Sequence, residues 1–178
     1  MTPRRGTLDQ PGLRSLAITY VARYATSSGK LAAYLRRKLR EQDWIGDSAP
    51  DIESLVEACV RNGFIDDSAF ASARVTGLRA KGFGERRIHQ ALRQSGIADE
   101  LARNFAATDS ESALRDALKL AARKRIGPFS QGVADDRQRM RWAGQLARAG
   151  HDSDVVRKVL RMDLAEAERS SHLANDDG

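Results

Sequence analysis

The chain repeats one helical pattern three times, and this repetition limits the folds that it can adopt more than any other feature. A pair of apolar residues four positions apart occurs three times, as Leu35 and Leu39, Ile88 and Leu92, and Trp142 and Leu146. Successive pairs are offset by 53 and 54 residues. A second apolar pair follows each of them, as Leu55 and Cys59, Leu101 and Phe105, and Val156 and Leu160. Because residues four apart share one face of an α-helix, the sequence predicts tandem helical units of about 50 residues.

Turn and capping signals divide each unit into three helices. Glycine-containing turns occur at 27–29 and 82–84, and Gly96 is expected to end a helix. Asp51 and Asp66 are expected to cap the N-termini of two helices. β-branched residues do not alternate with polar ones over a useful length, so no strand is predicted. In the third unit the expected helices lie near 111–125, 136–149 and 153–168.

These signals predict an all-α protein of three tandem three-helix repeats. A lone unit of this size has a marginal core, whereas stacked units bury shared faces. We therefore expect an elongated modular array, which stacking can curve. The predicted boundaries are a flexible N-terminal tail at 1–12, repeats at 13–63, 64–109 and 110–169, and a flexible C-terminal tail at 170–178.

The net charge of +6 conceals a separation of charge along the chain. Residues 1–40 carry a net +8, 41–67 a net −7, 68–98 a net +5, 99–111 a net −3 and 112–134 a net +4. In the first two repeats the first two helices are therefore basic and the third is acidic. Arginine supplies most of the basic charge, with 24 Arg against 6 Lys. This excess is compatible with polyanion binding, and equally with a coding sequence that favours arginine codons.

Each repeat has a basic cluster that lies off its apolar stripe. Because the guanidinium fork matches phosphate and carboxylate groups, these clusters are candidate contacts to nucleic acid or to an acidic protein surface, the alternative being solvated helix surface. The candidate contact residues are Arg23, Arg36, Arg37, Arg40, Arg79, Lys81, Arg86, Arg87, Arg93, Lys119, Arg123, Lys124 and Arg125.

Several classes of function find no support in the composition. No run approaches the ~18 apolar residues of a membrane span, and residues 1–12 lack the apolar core of a secretory signal, so a cytoplasmic protein is expected. The single cysteine, Cys59, excludes an internal disulfide and is expected in the core, as is Trp142. The three histidines are too scattered for a metal site. No nucleophile, base and orienting group come together, so neither a catalytic residue nor a metal site is assigned.

The central region resembles the RecX family, regulatory proteins of the recombinase RecA. The resemblance lies in Gly63-Phe64-Ile65-Asp66-Asp67-Ser68-Ala69-Phe70-Ala71, in Lys81 to Ile88, and in Leu92-Arg93-Gln94-Ser95-Gly96-Ile97. The family motif falls on Asp66, Asp67, Phe70, Gly82, Ile88, Leu92 and Gly96, where its role is mainly structural. The sequence departs from the family pattern at Lys30, Asp43 and His151, where an acidic residue, a glycine and an apolar residue are usual.

The resemblance implies a regulator without catalytic activity or cofactor. RecX-like proteins lie in the helical groove of the RecA filament, span neighbouring protomers, and block filament extension or promote disassembly. They inhibit its ATPase, strand-exchange and co-protease activities in homologous recombination and the SOS response. The resemblance also allows direct binding of single- or double-stranded DNA. Two alternatives stay open, a non-specific DNA-binding helical-repeat protein and a helical scaffold for another partner.

Overall fold

The structure, a computed structural model, describes residues 6–172, and within them the chain forms ten α-helices. In chain order these are α1 (Gln10–Arg23), α2 (Ser28–Glu41), α3 (Ile52–Arg61), α4 (Asp67–Arg79), α5 (Glu85–Gln94), α6 (Asp99–Ala106), α7 (Ser110–Lys124), α8 (Asp136–Arg148), α9 (Ser153–Arg161) and α10 (Leu164–His172). A 3₁₀ turn spans Gly127–Phe129. The predicted all-α fold class is confirmed.

The chain packs as two compact units. Within the described residues, the N-terminal unit contains residues 6–71 and 93–99, and the C-terminal unit contains residues 72–92 and 100–172. The boundaries of these two units follow the contacts within the folded chain and do not coincide with the repeat boundaries predicted from the sequence. The boundaries of the three repeats therefore stay a prediction.

The core of the N-terminal unit forms where α1, α2 and α3 pack against one another. Leu13, Leu31 and Leu35 have no exposed surface, and Cys59 is 6% exposed, which confirms its predicted place in the core. Burial also raises the pKa of the Cys59 thiol, so the neutral form is favoured. The apolar stripes read from the sequence are thus the faces that these helices bury.

Two short strands, β1 (Thr7–Leu8) and β2 (Asp43–Trp44), correct two sequence expectations. They pair in parallel, with hydrogen bonds from the Asp43 N–H to the Gly6 carbonyl at 2.9 Å and from the Ile45 N–H to the Leu8 carbonyl at 3.0 Å. The expectation of no strand was wrong, and so was a flexible tail at 1–12 for the described residues 6–12, because Leu8 is buried and α1 begins at Gln10. Residues 1–5 lie outside the described residues.

The core of the C-terminal unit lies between α7, α8, α9 and α10. Trp142 is 8% exposed, as predicted for a core residue, and Leu118 and Leu146 have no exposed surface. Ala167 brings α10 into the same core.

The last predicted helix, near 153–168, is two helices in the structure. The backbone of Met162 is extended, with φ −65° and ψ 146°, and its side chain is buried. Asp163 then caps α10 by accepting a hydrogen bond from the Glu166 N–H at 2.8 Å. The expected flexible tail at 170–178 was wrong for 170–172, which are helical; residues 173–178 lie outside the described residues.

The predicted N-caps are confirmed. Asp51 accepts a hydrogen bond from the Ser54 N–H at 3.0 Å, and Asp66 accepts one from the Ala69 N–H at 2.8 Å. A cap carboxylate satisfies a backbone donor that has no partner within the helix, and it also compensates the helix dipole.

Candidate functional site

All three tyrosines of the chain gather on one face of the N-terminal unit, Tyr20 on α1, Tyr24 at its C-cap and Tyr34 on α2. The rings of Tyr20 and Tyr34 stack with centroids 4.3 Å apart, and Tyr24 lies beside Tyr20 at 5.2 Å. Tyr24 is 52% exposed. Tyr20 and Tyr34 are partly buried and pack against the core of the unit, so the exposed member of the cluster is Tyr24, which helical periodicity alone does not identify.

Three cations border these rings. Arg23, Arg37 and Lys38 line a shallow cleft together with the tyrosines. The Arg37 guanidinium carbon is 5.6 Å from the centroid of the Tyr34 ring, and the Lys38 ammonium is 6.0 Å from it, which are cation–π distances. We call Tyr20, Arg23, Tyr24, Tyr34 and Arg37 the tyrosine–arginine surface.

Two of the three predicted contact arginines on α2 already have acidic partners in the chain. Arg36 Nη2 is 2.8 Å from Glu53 Oε1 on α3, and Arg37 Nε is 3.7 Å from Glu41 Oε1. These pairs are largely exposed, so each contributes little to stability. Arg40 is exposed and makes no ion pair with the described residues. Part of the basic charge of α2 is therefore neutralised by ion pairs inside the N-terminal unit.

Arg79 differs from the other predicted contacts because its side chain is only 30% exposed. Its guanidinium donates hydrogen bonds to the carbonyl oxygens of Ala106 at 3.2 Å and Ala107 at 2.8 Å, and it lies 4.0 Å from the buried carboxylate of Asp116. Arg79 thus satisfies the C-terminal carbonyls of α6. Its geometry favours a structural role over a binding role.

The remaining candidates of the second and third repeats divide into paired and unpaired cations. Arg86 pairs with Asp152, Arg93 Nε is 3.3 Å from Asp99 Oδ1, and Lys119 Nζ is 3.2 Å from Asp116 Oδ1. Cations without an ion pair to the described residues are Lys81, Arg87, Arg123, Lys124 and Arg125. Arg125 ends α7 in the left-handed conformation, with φ 53°.

The structure brings three candidates that lack an ion pair into one cleft of the C-terminal unit, and one of them, Arg87, donates a hydrogen bond to Gln90 Oε1 at 3.0 Å. Arg87, Arg123 and Lys124 line it together with Arg148, which the sequence analysis did not select. The other lining residues are Phe83, Leu120, Gln145 and Ala149. We call this concavity the four-cation cleft. Arg148 was missed because it lies in a C-terminal stretch whose basic and acidic charges nearly cancel.

The family-motif residues of the N-terminal unit are structural. Asp66 caps α4, whereas Asp67 accepts hydrogen bonds from the N–H of Ser28, at 2.8 Å, and from the Ser28 hydroxyl. Asp67 therefore supplies an acceptor to the first turn of α2, beside the N-cap residue Ser27. Phe70 is half-buried, and the ammonium of Lys30 lies 4.9 Å from its ring, which gives the unusual lysine a cation–π partner.

Gly96 requires the absence of a side chain. Its φ is +76°, and a Cβ there would lie 2.6 Å from the Gly29 Cα. Next to it the Ser27 hydroxyl donates to the carbonyl of Ser95, and both serines are buried. The turn before α2 and the turn after α5 are thus in backbone contact.

In the C-terminal unit, His151 is 4% exposed and its Nε2 donates to the carbonyl oxygen of Gly82 at 3.0 Å. Burial lowers the pKa of His151, while the hydrogen bond to Gly82 and the nearby Asp116 and Asp152 oppose that shift. The imidazole takes the place of the usual apolar residue and satisfies a buried carbonyl. Ile88 and Leu92, the motif's apolar pair, are 1% and 0% exposed.

Residues 6–172 contain no group of three or more His, Cys, Asp or Glu side chains placed to hold a metal ion. None of the helices within that range is both long and apolar enough to cross a membrane.

Comparison with known proteins gives the family. A family model described as "RecX, second three-helix domain" matches residues 66–104. Regulatory protein RecX of Myxococcus xanthus is 34% identical over 156 residues, covering 83% of this chain and 83% of the relative. Regulatory protein RecX of Leptothrix cholodnii is 35% identical over 155 residues, covering 86% of this chain and 90% of the relative.

Solved structures support the same fold. A crystal structure of regulatory protein RecX aligns with a TM-score of 0.66 at 20% identity, over 84% of this chain and 70% of that chain. RecX from Lactobacillus salivarius aligns with a TM-score of 0.62 at 16% identity, over 84% of this chain and 92% of that chain. The chain therefore belongs to the RecX family of regulatory proteins.

Proposed function

We propose that this chain binds RecA and RecA–DNA filaments and mainly inhibits their ATPase, strand-exchange and co-protease activities in homologous recombination and the SOS response. It acts in the cytoplasm by binding alone, without a cofactor or a catalytic step of its own. In this proposal it lies in the helical groove of the filament and contacts neighbouring protomers. The observation that carries the proposal is the tyrosine–arginine surface on a chain of the RecX family.

The composition of that surface suits a protein partner. Tyrosine and arginine are enriched among the residues that dominate binding energy at protein interfaces. The Tyr20–Tyr34 stack holds two rings in place before binding, so little side-chain freedom remains to be lost on association. Arg23 and Tyr24 are exposed beside it and supply the charge and the apolar area for contact.

The distribution of charge favours a mixed surface over a uniform DNA coat. On α3 the exposed Glu53 and Glu57 pair with Arg36 and Arg61, so this helix offers phosphate a charge-compensated face instead of a basic one. A protein filament that contains DNA offers both signs of charge, so acidic and basic helices each find a complement. Successive helical repeats that contact several protomers gain avidity from each added contact.

The proposal is tested by adding the full chain to RecA assembled on single-stranded DNA and following ATP hydrolysis. We expect hydrolysis to fall as the chain is added. If hydrolysis stays unchanged up to a molar excess while electron microscopy confirms the filaments, the proposal is wrong.

A pair of matched variants tests the surface itself. The double substitution Arg23→Ala and Tyr24→Ala removes a cation and an exposed ring from α1, whereas Arg14→Ala and Ile18→Ala removes a cation and an exposed apolar side chain from the same helix. We expect the first variant to require about tenfold more protein for equal inhibition, and the second to inhibit like the parent chain. Equal loss in both variants would contradict the assignment of this surface.

A further inference from the structure

The four-cation cleft gathers like charges that the fold itself does not neutralise. Arg87 comes from α5, Arg123 and Lys124 come from α7, and Arg148 comes from α8. None of the four makes an ion pair with a described acidic residue, and none of the residues that line the cleft is acidic. Elsewhere in the same unit Arg86, which follows Glu85 on α5, pairs with Asp152.

This arrangement costs free energy in the isolated chain. Four cations held around one concavity repel one another, and the surrounding protein reduces the screening that water provides. An anionic ligand in the cleft is attracted to each of the four cations, and this attraction offsets their mutual repulsion. The concavity encloses about 530 Å³, which lies in the range of sites that bind small ligands or short segments of polymer.

The remaining lining residues indicate the class of anion. Phe83 contributes the part of its aromatic ring that the core of the unit leaves uncovered, Gln145 contributes an amide that can donate and accept hydrogen bonds, and Leu120 is apolar and 1% exposed. A phosphate needs only the cations, whereas the flat face of a base packs on an aromatic ring and its edge pairs with an amide. The cleft thus combines the groups that a nucleotide unit of a nucleic-acid strand requires.

We propose that the four-cation cleft binds a phosphodiester segment of single-stranded DNA. A concave site admits a flexible strand, whose bases can turn toward Phe83, whereas a duplex presents a stiff convex cylinder with its bases paired inside. The inference deepens the proposed function and rests on it, because it names the nucleic-acid strand of the RecA filament as the ligand of this cleft.

The test measures binding of the full chain to a fluorescent oligothymidylate of about 20 nucleotides, by anisotropy over a salt series and in the absence of RecA. The variant Arg87→Gln, Arg123→Gln and Arg148→Gln removes one cation from each helix of the cleft. The control Arg137→Gln, Arg139→Gln and Arg141→Gln removes the same charge from exposed positions of α8 outside the cleft. Circular dichroism checks that both variants keep the helicity of the parent.

We expect the cleft variant to lose about tenfold or more in affinity, and the magnitude of its salt slope to fall by about 2, since each phosphate contact to a single strand contributes about 0.7. The control variant should lose less than about twofold. Equal losses in the two variants would overturn the proposal. So would a duplex that binds with the same affinity and the same dependence on the cleft.

Competition experiments show whether the cleft prefers a single strand of DNA to other anions. Thymidine monophosphate or inorganic phosphate at the nucleotide concentration of the oligomer should leave binding intact, and polyglutamate of equal charge should displace it poorly. Displacement by either monomer would show a free phosphate site instead of a strand site, and displacement by polyglutamate would show a site for acidic protein. The binding assay contains no RecA, so it and the ATPase assay test separate claims. A chain that does not bind the oligonucleotide could still inhibit the RecA ATPase, and a chain that does not inhibit the ATPase could still bind the oligonucleotide.

Discussion

The carboxylate of Asp67, at the start of α4, accepts hydrogen bonds from the backbone N–H and from the hydroxyl of Ser28, at the start of α2. The two residues are 39 positions apart in the chain. Asp67 therefore supplies an acceptor to the first turn of a helix that is distant in sequence, whose N-cap is Ser27, while the adjacent Asp66 caps α4 itself. Two neighbouring carboxylates of the family motif thus have different structural roles.

Replacement of Asp67 by alanine should destabilise the chain by about 1–2 kcal/mol, because the N–H and the hydroxyl of Ser28, in the first turn of α2, lose their charged acceptor. A double-mutant cycle with Ser28→Ala, measured by urea unfolding, should give a coupling free energy of about 0.5–1.5 kcal/mol. The exposed neighbour Ser68→Ala provides the control and should change stability by less than about 0.5 kcal/mol. Additive effects of the two substitutions would contradict the contact.

Replacement of Gly96 by alanine should be more destabilising than the same replacement at Gly63. Both glycines have positive φ, +76° and +73°, so alanine is strained at either position by roughly 1–2 kcal/mol. Only at Gly96 does the new Cβ meet backbone, 2.6 Å from the Gly29 Cα, whereas nothing lies within 4 Å of a Cβ at Gly63. The difference in unfolding free energy between the variants should be at least about 2 kcal/mol. Equal values would exclude the close approach to Gly29.

Stability of the C-terminal unit should fall in mild acid because of His151. Burial lowers the pKa of this imidazole below the ordinary value of 6.5, so the unfolded chain takes up a proton at a higher pH than the folded chain does. The contribution of His151 is complete above about pH 6.5 and is lost as the pH falls from there through the lower pKa of the folded state.

The measurement is the melting temperature between about pH 7.5 and pH 5 for the parent and for His151→Asn. The variant cannot titrate there, so its melting temperature should fall less over this range. Asp116 and Asp152, which lie near the imidazole, are present in both proteins. An identical pH dependence in the two proteins would show that His151 does not titrate as its burial requires.

Local signals predicted most of the fold, and contacts between distant residues account for the errors. The caps at Asp51 and Asp66 and the buried pair Ile88 and Leu92 depend on neighbours within a few positions. The break at Met162 has no glycine or proline, and the local signal for it is the cap residue Asp163 with Glu166 three positions later. The β1–β2 pair has two residues in each strand, which is too short for any alternating pattern to appear.

The candidate site was less predictable than the fold because charge in the sequence does not reveal pairing in space. Arg79 and Arg87 look equivalent along the chain, yet one binds carbonyls at the end of α6 and the other lines an open cleft. Arg148 reaches that cleft from α8. Tyr24 follows the helical spacing of a core residue and is half exposed. Periodicity identifies the face of a helix, but it does not show how far the neighbouring helix covers that face.

Reversal of charge at Arg36, Arg37 and Arg40 should weaken inhibition of the RecA ATPase severalfold while helicity persists. The cluster lies off the buried residues Leu31 and Leu35, so the core is unaffected. Loss of the exposed Arg36–Glu53 and Arg37–Glu41 pairs costs less than about 1 kcal/mol each. The measurement is the concentration for half inhibition, with circular dichroism as the check on folding.

The control for this reversal is Arg137→Glu, Arg139→Glu and Arg141→Glu, which changes the net charge by the same amount on exposed positions of α8. If long-range charge alone governed association, both variants would lose inhibition together and the loss would disappear at high salt. A loss confined to the α2 variant assigns this cluster to the contact surface. Unchanged inhibition in the α2 variant would remove the cluster from that surface, and binding to RecA would then depend on Arg23 and the tyrosines beside it.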